Sequence, residues 1–204
     1  MKFFEHVKNK YPYSRFSVLA ELKLADSKFD QDKFAEAAEG YKSFVKLHPT
    51  HEQADYAAYR IGLAYFKDAP GDFFILPPSY EKDQAQVKTA ITHLEDFIKS
   101  YPDSKWIADA KKTLAEAQGK LAQHEWYVAQ FYRKRGRWPG AAGRLALIVK
   151  DYPGSVYEAE ALWELSEAYL NMNEEFRAKQ ALKELIVKHP QDPHAKDAAK
   201  VLKQ

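Results

Sequence analysis

The sequence has no cysteine among its 204 residues, which excludes disulfide bonds and cysteine-ligated metal sites. It also has no run that approaches the roughly 18 apolar residues of a membrane-spanning helix. The 31 basic and 29 acidic side chains nearly cancel, so charge gives no general argument for nucleic-acid binding. Apolar residues make up 46% of the chain, which suits one soluble domain with an extended core.

Motifs for catalysis are also missing. The sequence contains no Gly-x-Ser-x-Gly elbow, no glycine-rich phosphate loop and no His-Glu-x-x-His pair. His48 and His51 are three residues apart, but Pro49 lies between them at a predicted helix boundary. That position favours turn and cap roles over metal binding. The sequence therefore predicts a protein that is not an enzyme and needs no cofactor or metal.

A repeated spacing of aromatic, alanine and proline residues organises the chain. Tyr132, Ala141 and Pro153 are separated by nine and twelve residues, and Tyr169, Ala178 and Pro190 repeat both intervals. This is the tetratricopeptide spacing. Alanine at a helix crossing lets two backbones approach closely, the aromatic ring fills the adjacent space, and proline ends the second helix.

The same spacing extends to the N-terminal half with two changes. Lys28 stands at the aromatic position before Ala37 and Pro49, and Phe29 is expected to do its packing. Between Tyr65 and Ala90 the first interval is stretched to 25 residues, an insertion of 16. An aromatic residue or histidine precedes proline five times, at Tyr11-Pro12, His48-Pro49, Tyr101-Pro102, Tyr152-Pro153 and His189-Pro190. We predict an all-α, right-handed helical-repeat solenoid of tetratricopeptide-like helix pairs.

The register divides the chain into segments of one solenoid. The predicted segments are a partial first repeat at 1–11, repeats at 12–49 and 50–102, an additional helix at 103–122, repeats at 123–153 and 154–190, and a terminal helix at 193–204. Ser14, Ser104 and Ser155 each follow a proline by two residues and are predicted to cap the next helix, with Glu158 completing a capping box at Ser155.

A loop at 68–84 interrupts the second complete repeat. Its three prolines and one glycine exclude regular helix, yet its centre is strongly apolar and includes Phe73 and Phe74. Loops of this length are uncommon in a compact repeat unless they fold onto the surface or bind a partner. Both alternatives stay open for Phe73 and Phe74.

Binding is the expected function, because the first helices of solenoid repeats line a concave surface. Projection of the register predicts an apolar, aromatic groove near the N-terminus. The groove candidates are Leu22, Phe29, Tyr56, Tyr59, Leu63 and Phe66. Each is equally compatible with a place in the core. Arg60 and Lys23 lie near enough to meet the terminal carboxylate of a peptide in that groove.

The C-terminal face is mixed and charged. Arg133, Arg135 and Arg137 crowd the end of one predicted helix, where positive charge is favourable against the helix dipole, and Trp163 belongs to the next helix pair. A site for a polyanion is a minority alternative, since no aromatic residues interleave with these cations on a sheet or groove.

Three segments resemble the BamD family, the YfiO/ComL-type outer-membrane β-barrel assembly lipoproteins. They are HPTHEQADYAAYRIGLAYF at 48–66, YPDSKWIADAKKTLAEAQGKLAQHEWYVAQFYRKRG at 101–136 and AAGRLALIVKDYP at 141–153. The likeness covers nearly the whole chain and includes the interrupted repeat and the helix before Glu125. The family's lipidated cysteine is not in this sequence, and the loop is poor in arginine compared with the family's.

The resemblance implies a non-catalytic scaffold at the periplasmic face of the outer membrane. Its expected partners are a BamA-like POTRA domain protein, other assembly-complex lipoproteins and unfolded outer-membrane proteins, with no nucleic acid and with membrane contact only through a lipid anchor. Arg144 matches an arginine of the family's motif, which adds it to Arg133, Arg135, Arg137 and Trp163 as a candidate for binding the POTRA region. A periplasmic tetratricopeptide adaptor of the Tol-Pal or cell-division type is the alternative.

Overall fold

The computed structural model describes residues 14–71 and 78–203, together with residues 4, 6 and 10. Its internal contacts divide the chain into two compact units, 1–117 and 118–204, where the sequence predicts one domain. Phe73 and Phe74, and most of the predicted partial repeat at 1–11, lie outside the described residues.

The first unit consists of antiparallel helices that pack in chain order. They are α1 (Arg15–Phe29), α2 (Phe34–Leu47), α3 (Ala54–Asp68) and α4 (Ala85–Ser100), with a short 3-10 turn at Ser79–Glu81. Helix α1 packs on α2, α2 on α3 and α3 on α4. The unit also includes the first part of α5 (Ile107–Arg133).

The second unit continues the same pattern. It contains the rest of α5, then α6 (Trp138–Asp151), α7 (Glu158–Asn171), α8 (Glu175–Lys188) and the short α9 (Pro193–Val201). Helix α7 packs on both α6 and α8, and α9 packs on α8 and α7. No strand occurs within residues 14–71 and 78–203. The prediction of an all-α fold of tetratricopeptide-like helix pairs is confirmed in each unit.

The repeat register agrees with the packing. Four alanines were predicted to lie at helix crossings, and all are at most 1% exposed: Ala37, Ala90, Ala141 and Ala178. The four described aromatic-proline or histidine-proline pairs each follow the last helical residue directly, at Leu47, Ser100, Asp151 and Lys188. The residue before each proline leaves the helical region, as the steric demands of proline require.

The additional helix predicted at 103–122 is not separate. Helix α5 runs for 27 residues through the expected boundary at 123. The stretch contains no proline, and its one glycine, Gly119, lies in open space. A single glycine costs about 1 kcal/mol in a helix, too little to end it here. The sequence contained no stop signal, and the predicted boundary was wrong.

The serine caps differ from one another. The Ser14 hydroxyl accepts the Ser17 N–H at 3.2 Å, so this predicted cap is confirmed. The Ser104 hydroxyl accepts the Trp106 N–H at 3.2 Å, one residue before α5 begins, so it orders the turn that leads into α5 and caps no helical N–H. The capping box at Ser155 is wrong, because the carbonyl oxygen of Ser155 takes the Glu158 N–H while its buried hydroxyl bonds to no described residue.

Glu158 instead holds the α6–α7 turn and the end of α8 together. Its carboxylate is 3% exposed and accepts the Gly154 N–H at 2.6 Å and the Lys188 Nζ at 3.0 Å. Burial raises the pKa of Glu158, but these hydrogen bonds and the Lys188 charge outweigh it and hold the pKa below its usual value. Glu158 is therefore a buried, charged residue that links the α6–α7 turn to the end of α8 in the second unit.

None of the helices in the described ranges is both long enough and apolar enough to cross a bilayer.

Candidate functional site

Two of the predicted groove residues belong to the core of the first unit. Leu22 is 2% exposed and packs with Tyr41 and Phe44, whereas Tyr59 is 7% exposed. The Tyr59 ring stacks on Trp106, with 5.8 Å between ring centroids, and also contacts Phe97. Helix periodicity cannot distinguish the side packed on the next helix from the concave side, so these two predictions were wrong. Phe29, Tyr56, Leu63 and Phe66 are half-buried.

Asp26 connects α1, α2 and α3. One of its carboxylate oxygens accepts the hydroxyls of Tyr41 at 2.7 Å and Tyr56 at 2.9 Å, and the other accepts Lys23 Nζ at 2.9 Å. Burial raises the pKa of Asp26, but the three hydrogen bonds outweigh it and lower the pKa overall. Burial also raises the pKa of Tyr56 to about 12, so both tyrosines stay protonated donors. Lys23 is thus already paired with an acidic group.

Arg60 lies within a cage of aromatic rings in the same unit. Its guanidinium carbon is 3.9 Å from the centroid of Phe29, 5.4 Å from that of Tyr56 and 5.5 Å from that of Tyr41. Nε is buried without a hydrogen-bond acceptor, and no described carboxylate comes within ion-pairing distance. The aromatic faces attract the cation but do not neutralise it, so the cage holds a cation with no anionic partner among the described residues.

The same first unit shows what sequence reasoning missed. Tyr41 was not among the predicted groove residues. It lies on α2, and only the packing of the helices brings it into contact with Asp26 and Arg60. The role of Asp26 as an acceptor for two tyrosines has no signal in the spacing. These contacts connect residues 15 to 31 positions apart, which helix periodicity does not predict.

In the second unit, two of the predicted basic residues are paired internally. Arg133 donates to Glu164 at 2.6 Å and to Glu167 at 2.9 Å. Arg144 donates to Glu125 at 2.9 Å, and Glu125 is 8% exposed. Burial raises the pKa of Glu164 against the opposing effects of Gln130 and Arg133. Both arginines are therefore already paired with carboxylates of the chain itself.

The cations in the turn after Arg133 are exposed. Arg135 lies 3.6 Å from the centroid of the Phe131 ring and donates to the Phe131 carbonyl, which orders its side chain. Lys134, Arg135 and Arg137 form no ion pair with an acidic residue in the described ranges. We call these three residues the basic turn; it joins α5 to α6.

Trp163 is half-buried. Its ring stacks on His194 of α9 with 5.1 Å between centroids, and it packs against the core beneath that helix. Because Trp163 packs against the last helix, less of its surface is accessible to a partner than the sequence suggested.

The chain matches the family model described as YfiO, outer membrane lipoprotein, over residues 1–185. It belongs to this family. Members of the YfiO family named outer membrane protein assembly factor BamD align with most of the chain. The relative from Xylella fastidiosa strain 9a5c is 27% identical over 198 residues, and that from Neisseria meningitidis serogroup B is 27% identical over 198 residues. The relative from Caulobacter vibrioides is 28% identical over 182 residues.

These alignments cover 95%, 96% and 88% of this chain, but 67%, 74% and 57% of the Xylella, Neisseria and Caulobacter relatives. Two solved structures are distantly similar. The complex of the yeast Sti1 TPR2AB domain with pHSP90 aligns at 15% identity and a TM-score of 0.40, covering 92% of this chain and 70% of that one. The MamA protein aligns at 16% identity and a TM-score of 0.31, covering 85% of this chain and 92% of that one.

Proposed function

We propose that this YfiO-family chain is a non-catalytic scaffold of the outer-membrane β-barrel assembly machinery, at the periplasmic face of the outer membrane. The names of its relatives support a role in outer-membrane assembly. The family match supports this role over that of a Tol-Pal or cell-division adaptor. The expected lipid anchor and the other lipoproteins of the complex belong to the same proposal.

The first unit receives unfolded outer-membrane proteins at Arg60. The observation that carries this proposal is the guanidinium of Arg60, which lies among three rings with no acidic partner in the part of the chain that the structure describes. β-Barrel precursors of the outer membrane typically end in an aromatic residue, whose free carboxylate is the anion that this arginine lacks. The half-buried rings of Phe29 and Tyr56 supply faces against which the terminal side chain packs.

Arg60→Gln should weaken the binding of a fluorescent peptide that ends in phenylalanine by about tenfold or more, because a charge-assisted hydrogen bond contributes ~1.5–3 kcal/mol. Fluorescence anisotropy measures the effect. Lys67→Gln is the matched control, since Lys67 is an exposed cation on the same helix. The wild type should bind the carboxamide form of the peptide about as weakly as Arg60→Gln binds the acid. Equal affinity of the wild type for the acid and the amide would contradict carboxylate recognition.

The second unit binds the POTRA region of a BamA-like protein through the basic turn. Arg133 and Arg144 already have carboxylate partners, whereas Lys134, Arg135 and Arg137 have none among the described residues. The stacking of Arg135 on Phe131 lowers the entropy cost of holding its guanidinium for a partner. The proposed contact therefore moves from Arg144, favoured by the sequence motif, toward Arg135 and Arg137.

Two reversals of charge separate these roles. Arg135→Glu combined with Arg137→Glu should weaken binding to an isolated POTRA fragment at least tenfold, with the melting temperature unchanged, because both side chains are exposed and have no acidic partner within the described residues. Arg144→Glu should instead lower the melting temperature, since it places a carboxylate beside the buried Glu125. Lys150→Glu, at an exposed site on α6, is the control. Normal binding by the double variant would contradict the assignment.

A further inference from the structure

Helices α2, α3 and α4 of the first unit line a surface cavity of about 220 Å³ that is open to solvent. Val45, Ile61, Phe97 and Tyr101 contribute its apolar and aromatic walls, and His93, Asp96 and Ser100 contribute polar groups from α4. We call this cavity the α4 slot. It shares no residue with the Arg60 cage.

The size of the α4 slot limits what enters it. Small-molecule sites usually enclose about 300–1,000 Å³, more than this cavity offers. The slot is instead of a size to accept one long side chain of another polypeptide. Its walls suit an aliphatic stem, and its aromatic members suit a cation that stacks on a ring.

The polar groups of the slot all accept hydrogen bonds. Asp96 is exposed and forms no ion pair with any described cation, and the Ser100 hydroxyl accepts as well as donates. His93 is half-buried and stacks on Tyr65 with 5.4 Å between centroids. Burial and the nearby Lys42 charge lower the pKa of His93, which leaves a neutral ring with one accepting nitrogen.

Other charges near the slot are already engaged. Lys42 donates to Glu39 at 3.0 Å and to the Tyr65 hydroxyl at 2.6 Å, so its charge is partly balanced within the first unit. Asp96 therefore remains the acidic group at the slot without a partner in the described ranges.

We propose that the α4 slot binds an arginine side chain of a partner polypeptide. The aliphatic stem lies against Val45 and Ile61, and the guanidinium pairs with the Asp96 carboxylate beside the half-buried Tyr101 ring. Arginine fits better than lysine because its planar group stacks on aromatic rings while it donates to several acceptors at once. An aliphatic or aromatic side chain would fill the walls but form no ion pair with Asp96.

The test uses the full chain and the peptide acetyl-Gly-Arg-Gly-amide, titrated by chemical-shift changes in the NMR spectrum. The shifts should be largest at the slot residues. The same peptide with citrulline in place of arginine keeps the shape and loses the charge, and it should bind roughly tenfold more weakly. Equal binding of the arginine, citrulline and lysine peptides would overturn the proposal.

Variants of the chain complete the test. Asp96→Asn should weaken the binding of the arginine peptide roughly tenfold. Glu95→Gln should leave that binding unchanged, because Glu95 is the neighbouring exposed carboxylate and does not line the slot. Ala58→Leu fills the slot from α3 and should abolish the shifts while helicity is retained. Equal losses in Asp96→Asn and Glu95→Gln would reduce the effect to general surface charge and overturn the assignment.

Discussion

Tyr59→Ala should lower the free energy of unfolding by about 3–5 kcal/mol. The ring is 7% exposed and lies between Trp106 and Phe97, in a cluster that also includes the buried Leu94. Removing it leaves a cavity among residues of α3, α4 and the start of α5, and these rigid helices close such a cavity only in part. The loss is then close to that of other large-to-small core changes.

Urea titration followed by circular dichroism at 222 nm measures the loss. Tryptophan fluorescence, to which Trp106 of the stacked pair contributes together with the three other tryptophans, gives a second signal. Leu47→Ala is the matched control, because it also removes a large apolar side chain from the first unit but at a position 60% exposed. A Tyr59→Ala loss no larger than that of Leu47→Ala would contradict the core assignment and return Tyr59 to the groove surface.

Gly62→Ala is the second large effect, with an expected loss of about 2 kcal/mol. A Cβ atom at Gly62 would lie 2.7 Å from Leu94 Cγ and 3.2 Å from the Leu94 backbone nitrogen. Leu94 is fully buried, so it has little room to move away. The clash outweighs the gain of about 1 kcal/mol that alanine brings to a helix interior.

Gly119→Ala is the same substitution at a position where it should raise the free energy of unfolding. Nothing lies within 4 Å of a Cβ atom at Gly119, inside α5. This variant should gain about 0.5–1 kcal/mol, because only the helix preference changes. Parallel urea titrations of both variants measure the difference. Stabilisation by both would mean that α3 and α4 do not approach as closely at Gly62 as the structure shows.

The α5 helix shows how the sequence determines local structure. The four described aromatic-proline and histidine-proline pairs end their helices at the expected residues, because proline acts on its own neighbours. The stretch from 107 to 133 contains no such signal, and the helix continues through it. The expected boundary at 123 came from the repeat register rather than from a residue that stops a helix.

The groove shows where local patterns fail. Leu22, Phe29, Tyr56 and Tyr59 all satisfy the same register, yet the structure places two inside the core and leaves two half-buried. Tyr59 is covered by Phe97 and Trp106, which follow it by 38 and 47 residues. A helix has two flanks besides its exposed face, and its own spacing does not say which neighbour covers each flank.

The sequence by itself determined the helix pairs, the alanines at their crossings, the proline stops and the family, because each depends on residues close together in the chain or on their order. Only the tertiary structure decided which charges are satisfied. Arg133 and Arg144 find carboxylates 31 and 19 residues away, whereas Arg60 finds three rings and no described carboxylate. Ion pairing depends on distances of a few ångströms between side chains from different helices, and those distances exist only once the helices have packed.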